Sequence, residues 1–269
     1  MSSQRIPRLL SIAGSDSGGG AGIQADLKAF ARCGVHGMTA ITAVTWQNTV
    51  AVEGVTPIPP DAIIGQVRAV AEDIGVDAVK IGMLGTVETI AAVTRALALV
   101  DDAPVVLDPV MVAESGAHLL EPDARKALVD LLPRATVVTP NLAEARALVE
   151  TAGIAAGAGA DELARAVHEL GPRFVVVTGG HGEGVDVCFD GEHIERLAGE
   201  VYPGGASHGS GCTHSSALAA QLALGLEPLE AARAAKRIAA EAVRDGLREI
   251  GAGAGPVDVL GIARSRTRD

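Results

Sequence analysis

The chain has 269 residues, 48% of them hydrophobic, which suits one large α/β domain with a sizeable core, and a single domain over residues 1–269 is the expected organisation. Its 22 basic and 33 acidic residues give a net charge of −11 with no basic run, which excludes a polyanion-binding surface, so no nucleic acid partner is expected. Residues 1–8 lack the apolar core of a signal peptide, and the Ala-rich run over 89–100 is too short and is interrupted by Arg95, so no membrane association and a cytoplasmic location are expected.

Taken in chain order, short apolar runs alternate with helix-period segments, the pattern of βαβ units around a mostly parallel sheet. Strands are predicted over 9–13, 38–44, 78–81, 105–107, 136–138 and 174–177. They show little polar alternation, so both sheet faces should be covered. Helices are predicted over 22–32, 60–73, 87–100, 123–132, 142–150, 161–170, 212–224 and 229–244. Residues 49–58, ending near Pro57, Pro59 and Pro60, read as a short strand outside the main sheet, part of a lid. Residues 185–202 read as an antiparallel hairpin turning at Asp190-Gly191, and the Gly/Ala stretch 153–160 as a flexible loop.

Four segments could carry chemistry. Gly14-Ser15-Asp16-Ser17-Gly18-Gly19-Gly20-Ala21-Gly22 joins a strand to a helix, where glycines let backbone approach a ligand, yet it fits neither a dinucleotide fingerprint nor a Walker A loop. A flexible turn with a helix cap explains it equally well. Gly209-Ser210-Gly211-Cys212-Thr213 enters another helix, and free N–H groups at that end suit a phosphoryl group and would lower the Cys212 pKa; a buried inert thiol behind a glycine turn is the alternative. Cys33 and Cys188 read as inert thiols, and three scattered cysteines indicate a reducing compartment. Asp108 after one strand, and Asn141 with Glu144 after the next, could hold Mg²⁺ loosely, although Asn141 and Glu144 also have the spacing of a helix capping box and Asp108-Pro109 that of a plain turn. Thr178-Gly179-Gly180-His181 forms a further loop at the same predicted sheet edge.

In this order the segments resemble the hydroxymethylpyrimidine/phosphomethylpyrimidine kinases of the ribokinase-like superfamily. The resemblance runs over about residues 9–224 and rests on Ala13-Gly14-Ser15-Asp16-Ser17, Gly19-Gly20-Ala21-Gly22-Ile23-Gln24-Ala25-Asp26-Leu27-Lys28, Gln47-Asn48-Thr49, Lys80-Ile81-Gly82-Met83-Leu84, Leu107-Asp108-Pro109-Val110-Met111, Thr139-Pro140-Asn141-Leu142-Ala143-Glu144, Gly179-Gly180-His181 and His208-Gly209-Ser210-Gly211-Cys212-Thr213. It implies a three-layer α/β/α sandwich with a mostly parallel central sheet and a small β lid. It also implies phosphorylation of 4-amino-5-hydroxymethyl-2-methylpyrimidine and of its monophosphate, with ATP and Mg²⁺ as cofactors and a homodimer as the assembly. Carried over residue by residue, Gly14, Ala21, Asp26, Gln47, Met83 and Val110 would hold the pyrimidine. Gly209, Ser210, Gly211 and Cys212 would be catalytic, Thr178, Gly180 and Lys236 would contact nucleotide, and Asp108, Asn141 and Glu144 would organise the metal. Two departures each remove a cation: Glu114 stands in Met111-Val112-Ala113-Glu114-Ser115-Gly116 where the family often has lysine, and Thr178 precedes Gly-Gly-His where lysine is also frequent. A pyridoxal kinase, a Cys212 hydrolase using His208 or His214 as base, and a non-catalytic pyrimidine-binding protein are the alternative readings.

Overall fold

The computed structural model describes residues 5–100, 102–155, 157–179 and 184–265. Its centre is an eight-stranded sheet in the order β10-β9-β8-β7-β6-β5-β1-β2. β1 (Arg8–Ala13), β2 (His36–Ile41), β5 (Ala78–Ile81), β6 (Val105–Leu107), β7 (Val137–Val138) and β8 (Phe174–Val177) pair in parallel. β9 (Asp186–Phe189) and β10 (Ile194–Leu197) continue the sheet antiparallel as the expected hairpin.

Because side chains alternate across a strand, each strand feeds two cores. Leu10, Ile12, Val79, Ile81, Val105, Leu107, Val138, Val175 and Val177 pack against α2 (Pro60–Asp73), α3 (Val87–Ala96), α4 (Ala124–Leu131), α5 (Leu142–Thr151) and α6 (Ala160–Glu169). Leu9, Ala78, Val106, Val137, Phe174, Val176 and Cys188 face α1 (Gly22–Arg32), α7 (Ser210–Ala223) and α8 (Pro228–Arg244). The result is the three-layer sandwich. A short α9 (Ile262–Ser265) closes the described chain, and among the described residues no helix is long and apolar enough to cross a membrane.

The predicted strand over 38–44 is two strands. β2 stops at Ile41, and β3 (Ala43–Gln47) leaves the main sheet to pair antiparallel with β4 (Val52–Pro57) in a separate two-stranded sheet. The break is at Thr42, which is fully buried: its N–H donates to Ala13 O, its hydroxyl to Met83 O at 2.8 Å, and its carbonyl accepts from Ile58. An apolar run cannot reveal such a branch, because every residue in it has strand propensity and the decision is made by partners distant in sequence. Cys33 lies one residue beyond α1 and is half-buried, and Cys188 is buried in β9.

One buried ion pair joins the layers. Ser11 of β1 and Lys80 of β5 are register partners on the α1/α7 face. There the Lys80 ammonium meets the Asp26 carboxylate of α1 at 2.8 Å, both side chains being fully buried. Ser11 Oγ and Ser216 Oγ of α7 donate to the same carboxylate at 2.6 and 2.7 Å. Desolvation of such a pair is costly, and removing one partner strands a charge. Lys80→Met should therefore lower unfolding free energy by about 3–5 kcal/mol in urea titrations. The double variant Lys80→Met/Asp26→Asn should recover a substantial part of that loss; an equally unstable double variant would mean that lost packing, not the stranded carboxylate, is responsible.

Candidate active site

All six parallel strands end at one sheet edge, and the loops that follow enclose a cavity of about 610 Å³. Of the residues singled out from sequence, Gly14, Ala21, Gln47, Met83, Val110, Asp108, Asn141, Glu144, Thr178, Lys236, Gly209, Ser210, Gly211 and Cys212 all line it. Gly180 lies outside the described residues. Asp26 does not line the cavity: its carboxylate is turned under the floor and is occupied by Lys80, Ser11 and Ser216. In this structure the Asp26 carboxylate, expected from sequence to contact a pyrimidine, is engaged by these three partners instead of lining the cavity. What reaches the cavity is its partner Lys80.

The two glycine-rich loops are held together by a buried carboxylate. Asp16 accepts from the N–H groups of Gly18, Gly20 and Ala21 at 2.8, 3.0 and 2.8 Å, and its Oδ2 lies 2.8 Å from His208 Nε2. Burial would raise the Asp16 pKa, but His208 and the amides of Ala21 and Gly18 reverse this and hold it below the ordinary carboxylate value. His208 precedes Gly209, the N-cap of α7, whose φ is +83° and where a Cβ would collide with Gly20 O. Gly209 thus permits both the left-handed turn and the close approach of the first loop. From there Ser210, Gly211 and Cys212 begin α7, so the uncapped amides of its first turn face the cavity without a side-chain partner from the N-cap.

The electrostatics of Cys212 run against the expectation from helix position. Burial pushes the thiol up to about 12; Lys80 and the N–H of Gly22 pull it down, while Asp108 and Asp26 push it further up. The helix terminus alone would favour thiolate, but two nearby carboxylates and desolvation outweigh it. The resting residue is a neutral thiol. Lys80 itself is disfavoured as a cation by burial, yet Asp26, Cys212 and Asp108 hold its pKa above the usual lysine value.

Beside this cluster, Asp108 follows β6 and accepts from Ser215 Oγ of α7 at 2.9 Å. Burial raises its pKa, against the lowering effect of Lys80 and Ser215, and Asp26 adds to the rise. Asn141 and Glu144 form the capping box of α5: Asn141 Oδ1 accepts from Glu144 N at 2.9 Å and Glu144 Oε2 from Asn141 N at 3.0 Å. The structural reading of this pair is therefore realised, and both residues also line the cavity. Glu144 is pushed up to about 8 by burial and then by the charge of Asp108, with the amides of Asn141 and Met111 opposing. The charge of Asp108 thus raises the proton affinity of Glu144, and two carboxylates lining one cavity constitute a deficit of positive charge.

At the far end, Lys236 of α8 pairs with Asp186 of β9 at 2.8 Å, and Gly179 N donates to the same carboxylate oxygen at 3.0 Å. Thr178 follows β8 and bridges to Asn141. Glu114 lies on the rim and accepts from Ser207 Oγ at 2.7 Å, so the carboxylate that stands where the family often has lysine is turned toward the approach to Gly209. The two imidazoles that a Cys212 hydrolase would need face elsewhere, His208 toward Asp16 and His214 toward Asp186.

Sequence reasoning assigned no role to Lys80, Asp16 or Asp186. The signal for two of them was present: a charged residue inside a short apolar run, as in Ala78-Val79-Lys80-Ile81 and Val185-Asp186-Val187-Cys188, implies a buried partner. Asp16 was read only as part of a glycine-rich turn.

The pattern of the phosphomethylpyrimidine kinase family matches residues 16–258. The chain is 49% identical over 254 residues to the hydroxymethylpyrimidine/phosphomethylpyrimidine kinase of Rhizobium meliloti, covering 92% of this chain and 95% of that protein. Among solved structures, it superposes with a TM-score of 0.86 and 40% identity on Bacillus subtilis pyridoxal kinase in its ADP complex, over 97% of this chain and 99% of that one. It also matches Staphylococcus aureus pyridoxal kinase in complex with AMP-PCP and pyridoxal, with a TM-score of 0.84 and 35% identity over 95% and 94% of the two chains. A sandwich whose parallel strands all deliver their loops to one cavity, together with an ordered match along nine-tenths of the chain, leaves no ambiguity of kinship: this chain belongs to the phosphomethylpyrimidine kinase family.

Proposed function

We propose that this kinase transfers the γ-phosphoryl group of ATP to the hydroxymethyl group of 4-amino-5-hydroxymethyl-2-methylpyrimidine, and then a second phosphoryl group to the resulting monophosphate. The observation that carries the reading is the meeting of the α7 N-terminus, Cys212, Lys80 and Asp108 in one cavity of a chain with this kinship. Phosphoryl transfer needs positioning and charge stabilisation more than covalent chemistry.

In this reading Gly14, Ala21, Gln47, Met83 and Val110 hold the ring. A Cβ at Gly14 would press on the end of the Met83 side chain, so the two residues share one apolar patch of the cavity wall, which supports a ring contact there. The amides of Gly209, Gly211 and Cys212 receive the phosphoryl group, aided by the helix dipole, and Ser210 N, which donates to Ser207 O in this structure, would join them by releasing that bond. Lys236 and Thr178 serve the nucleotide, and Gly180, outside the described residues, is assigned the same role from the sequence resemblance alone. The rivalry of Asp108 and Glu144 for protons fits a divalent cation, with Asn141 as a neutral oxygen donor. Mg²⁺ held there would neutralise phosphate oxygens, keeping several waters of its own. The substrate hydroxyl would lie against Cys212, whose sulphur must lose its proton before it can take another; Lys80 favours that loss.

The decisive assay is ADP release from Mg·ATP with the pyrimidine alcohol, its monophosphate and pyridoxal as acceptors. Preference for the two pyrimidines is expected, and preference for pyridoxal would assign the chain to the activity of its structural neighbours. Cys212→Ala should fold normally and lose about 10²-fold or more in kcat. In the wild type kcat should climb as pH rises through the alkaline range, because the working form of Cys212 is deprotonated, and the alanine variant should lack that limb.

Glu144 gives a separate test through stability. Its folded pKa, about 8, lies above the ordinary value near 4.5, so the folded state binds the extra proton. Its contribution is complete below pH 4.5 and is lost as pH rises through 8. Melting temperature should therefore fall between pH 5 and 8, less steeply in Glu144→Gln. Added Mg²⁺ should raise the wild-type melting temperature more at pH 8 than at pH 5; equal shifts at both would remove Glu144 from the metal site.

A further inference from the structure

His214 is a titratable residue of the cavity wall whose chemistry the proposed reaction leaves unused and whose surroundings are incomplete. It lies one turn inside α7 and is 6% exposed, and neither ring nitrogen has a hydrogen-bond partner among the described residues. A buried imidazole without partners is costly and calls for a ligand or a second arrangement. Its Nε2 lies 3.5 Å from Asp186 Oδ2, too long for a good hydrogen bond but close enough for an ion pair once the ring is protonated. The other oxygen of Asp186 already holds Lys236 and the amide of Gly179. One carboxylate is thus flanked by two potential cations, of which only the lysine is in hydrogen-bonding contact.

We propose that His214 is a positioning residue for the nucleotide, acting through Asp186: when a nucleoside polyphosphate occupies the cavity, Lys236 turns from Asp186 to the phosphates and a protonated His214 takes its place on the carboxylate. The charges balance at each stage. Before binding, Asp186 is neutralised by Lys236; afterwards it is neutralised by imidazolium, and the lysine charge is spent on phosphate. One proton, drawn from solvent, enters with the nucleotide.

Geometry favours this exchange because Lys236 is 14% exposed and lines the same cavity, whereas Asp186 is buried and fixed by Gly179 N. The lysine is the member free to move. The charged groups acting on His214 are Asp186 on β9 and Lys236 on α8. In the resting state burial keeps the ring neutral, Asp186 opposing and Lys236 reinforcing that effect. Removal of the ammonium from the pair eliminates a repulsion and leaves an attraction, so the proton affinity of His214 must rise. Lys236 is then a movable positive charge at the nucleotide end of the cavity, and His214 is what allows it to leave its carboxylate.

The inference rests on the kinase reading, and the experiment separates the two. The His214 ring protons are followed by NMR over pH 5 to 9, with and without AMP-PCP and Mg²⁺. The midpoint should move up by about one pH unit or more on binding. Calorimetric titration of AMP-PCP at pH 7, in two buffers of different ionisation enthalpy, should show uptake of up to one proton. That uptake should vanish in His214→Gln, and also in Lys236→Met, where the ring is already paired with Asp186 before nucleotide arrives. In turnover, KM for ATP should rise from pH 6 to 8, and His214→Gln should flatten the KM profile while leaving the pH dependence of kcat that Cys212 imposes in place. A merely structural histidine would move none of these. Nucleotide binding with an unshifted His214 midpoint overturns this inference alone, and failure of AMP-PCP to bind at all overturns the kinase reading with it.

Discussion

The ammonium of Lys80, at the cavity floor, and the carboxylate of Asp26 beneath it set the terms for everything above them. Water is excluded from both, so neither charge can be screened and neither can be surrendered without a large cost. The pair draws Ser11 from β1 and Ser216 from α7 into the same network, which clips α1 and α7 to the middle of the sheet. A second clip, Ser215 to Asp108, is one residue away on α7. The helix whose N-terminus faces the cavity is therefore fixed to β1, β5 and the end of β6 by hydrogen bonds to buried charges rather than by apolar packing alone. Apolar side chains of similar volume can slide past one another, whereas a hydroxyl bonded to a carboxylate has one place to be.

The same constraint explains the chemistry of Cys212. A thiol at a helix start, beside a lysine, has two reasons to ionise, yet it remains protonated because Asp26 and Asp108 belong to the same buried cluster. Lys80 serves three acidic partners at once, so its charge is divided among them. Any event that satisfies Asp108 independently gives more of that charge to the sulphur. The reactivity of the thiol is thus linked to the occupancy of the acidic wall without movement of the backbone.

Much of this architecture can be read in the residues, for identifiable reasons. The strands at Ala78–Ile81, Val105–Leu107 and Phe174–Val177 and the helices at Gly22–Arg32 and Pro60–Asp73 were foreseen with the same bounds, since short apolar runs between helix-period segments leave few alternatives and Pro60 marks a helix start. The convergence of Asp108, Asn141 and Glu144 with Cys212 was legible because parallel strands must deliver their C-terminal loops to one edge. The departures all have a tertiary origin. Thr42 divides a continuous apolar run because Met83 and Ile58 bond to it. Asp26 carries the position expected of a ligand-binding residue but has Lys80 for a neighbour, a fact of strand register that no local pattern contains. The Cys212 thiol was misjudged for the same reason: a helix dipole can be inferred from one segment, whereas the opposing carboxylates arrive from α1 and from the loop after β6.

The distribution of charge around the cavity also constrains what may enter it. Asp108 and Glu144 already compete for protons on one wall, Glu114 adds a carboxylate at the rim, and Asp186 occupies the ammonium of Lys236 at the far end. A bare polyphosphate would meet like charge on three sides, in a space where burial weakens screening. A polyphosphate whose charge is already offset by a bound cation meets instead two carboxylates in need of that cation and a set of helix amides in need of an anion. Under the proposed function the arrangement would discriminate by the partnership of charges rather than by charge alone, since the acidic residues that weaken binding of a free anion would favour its neutralised form.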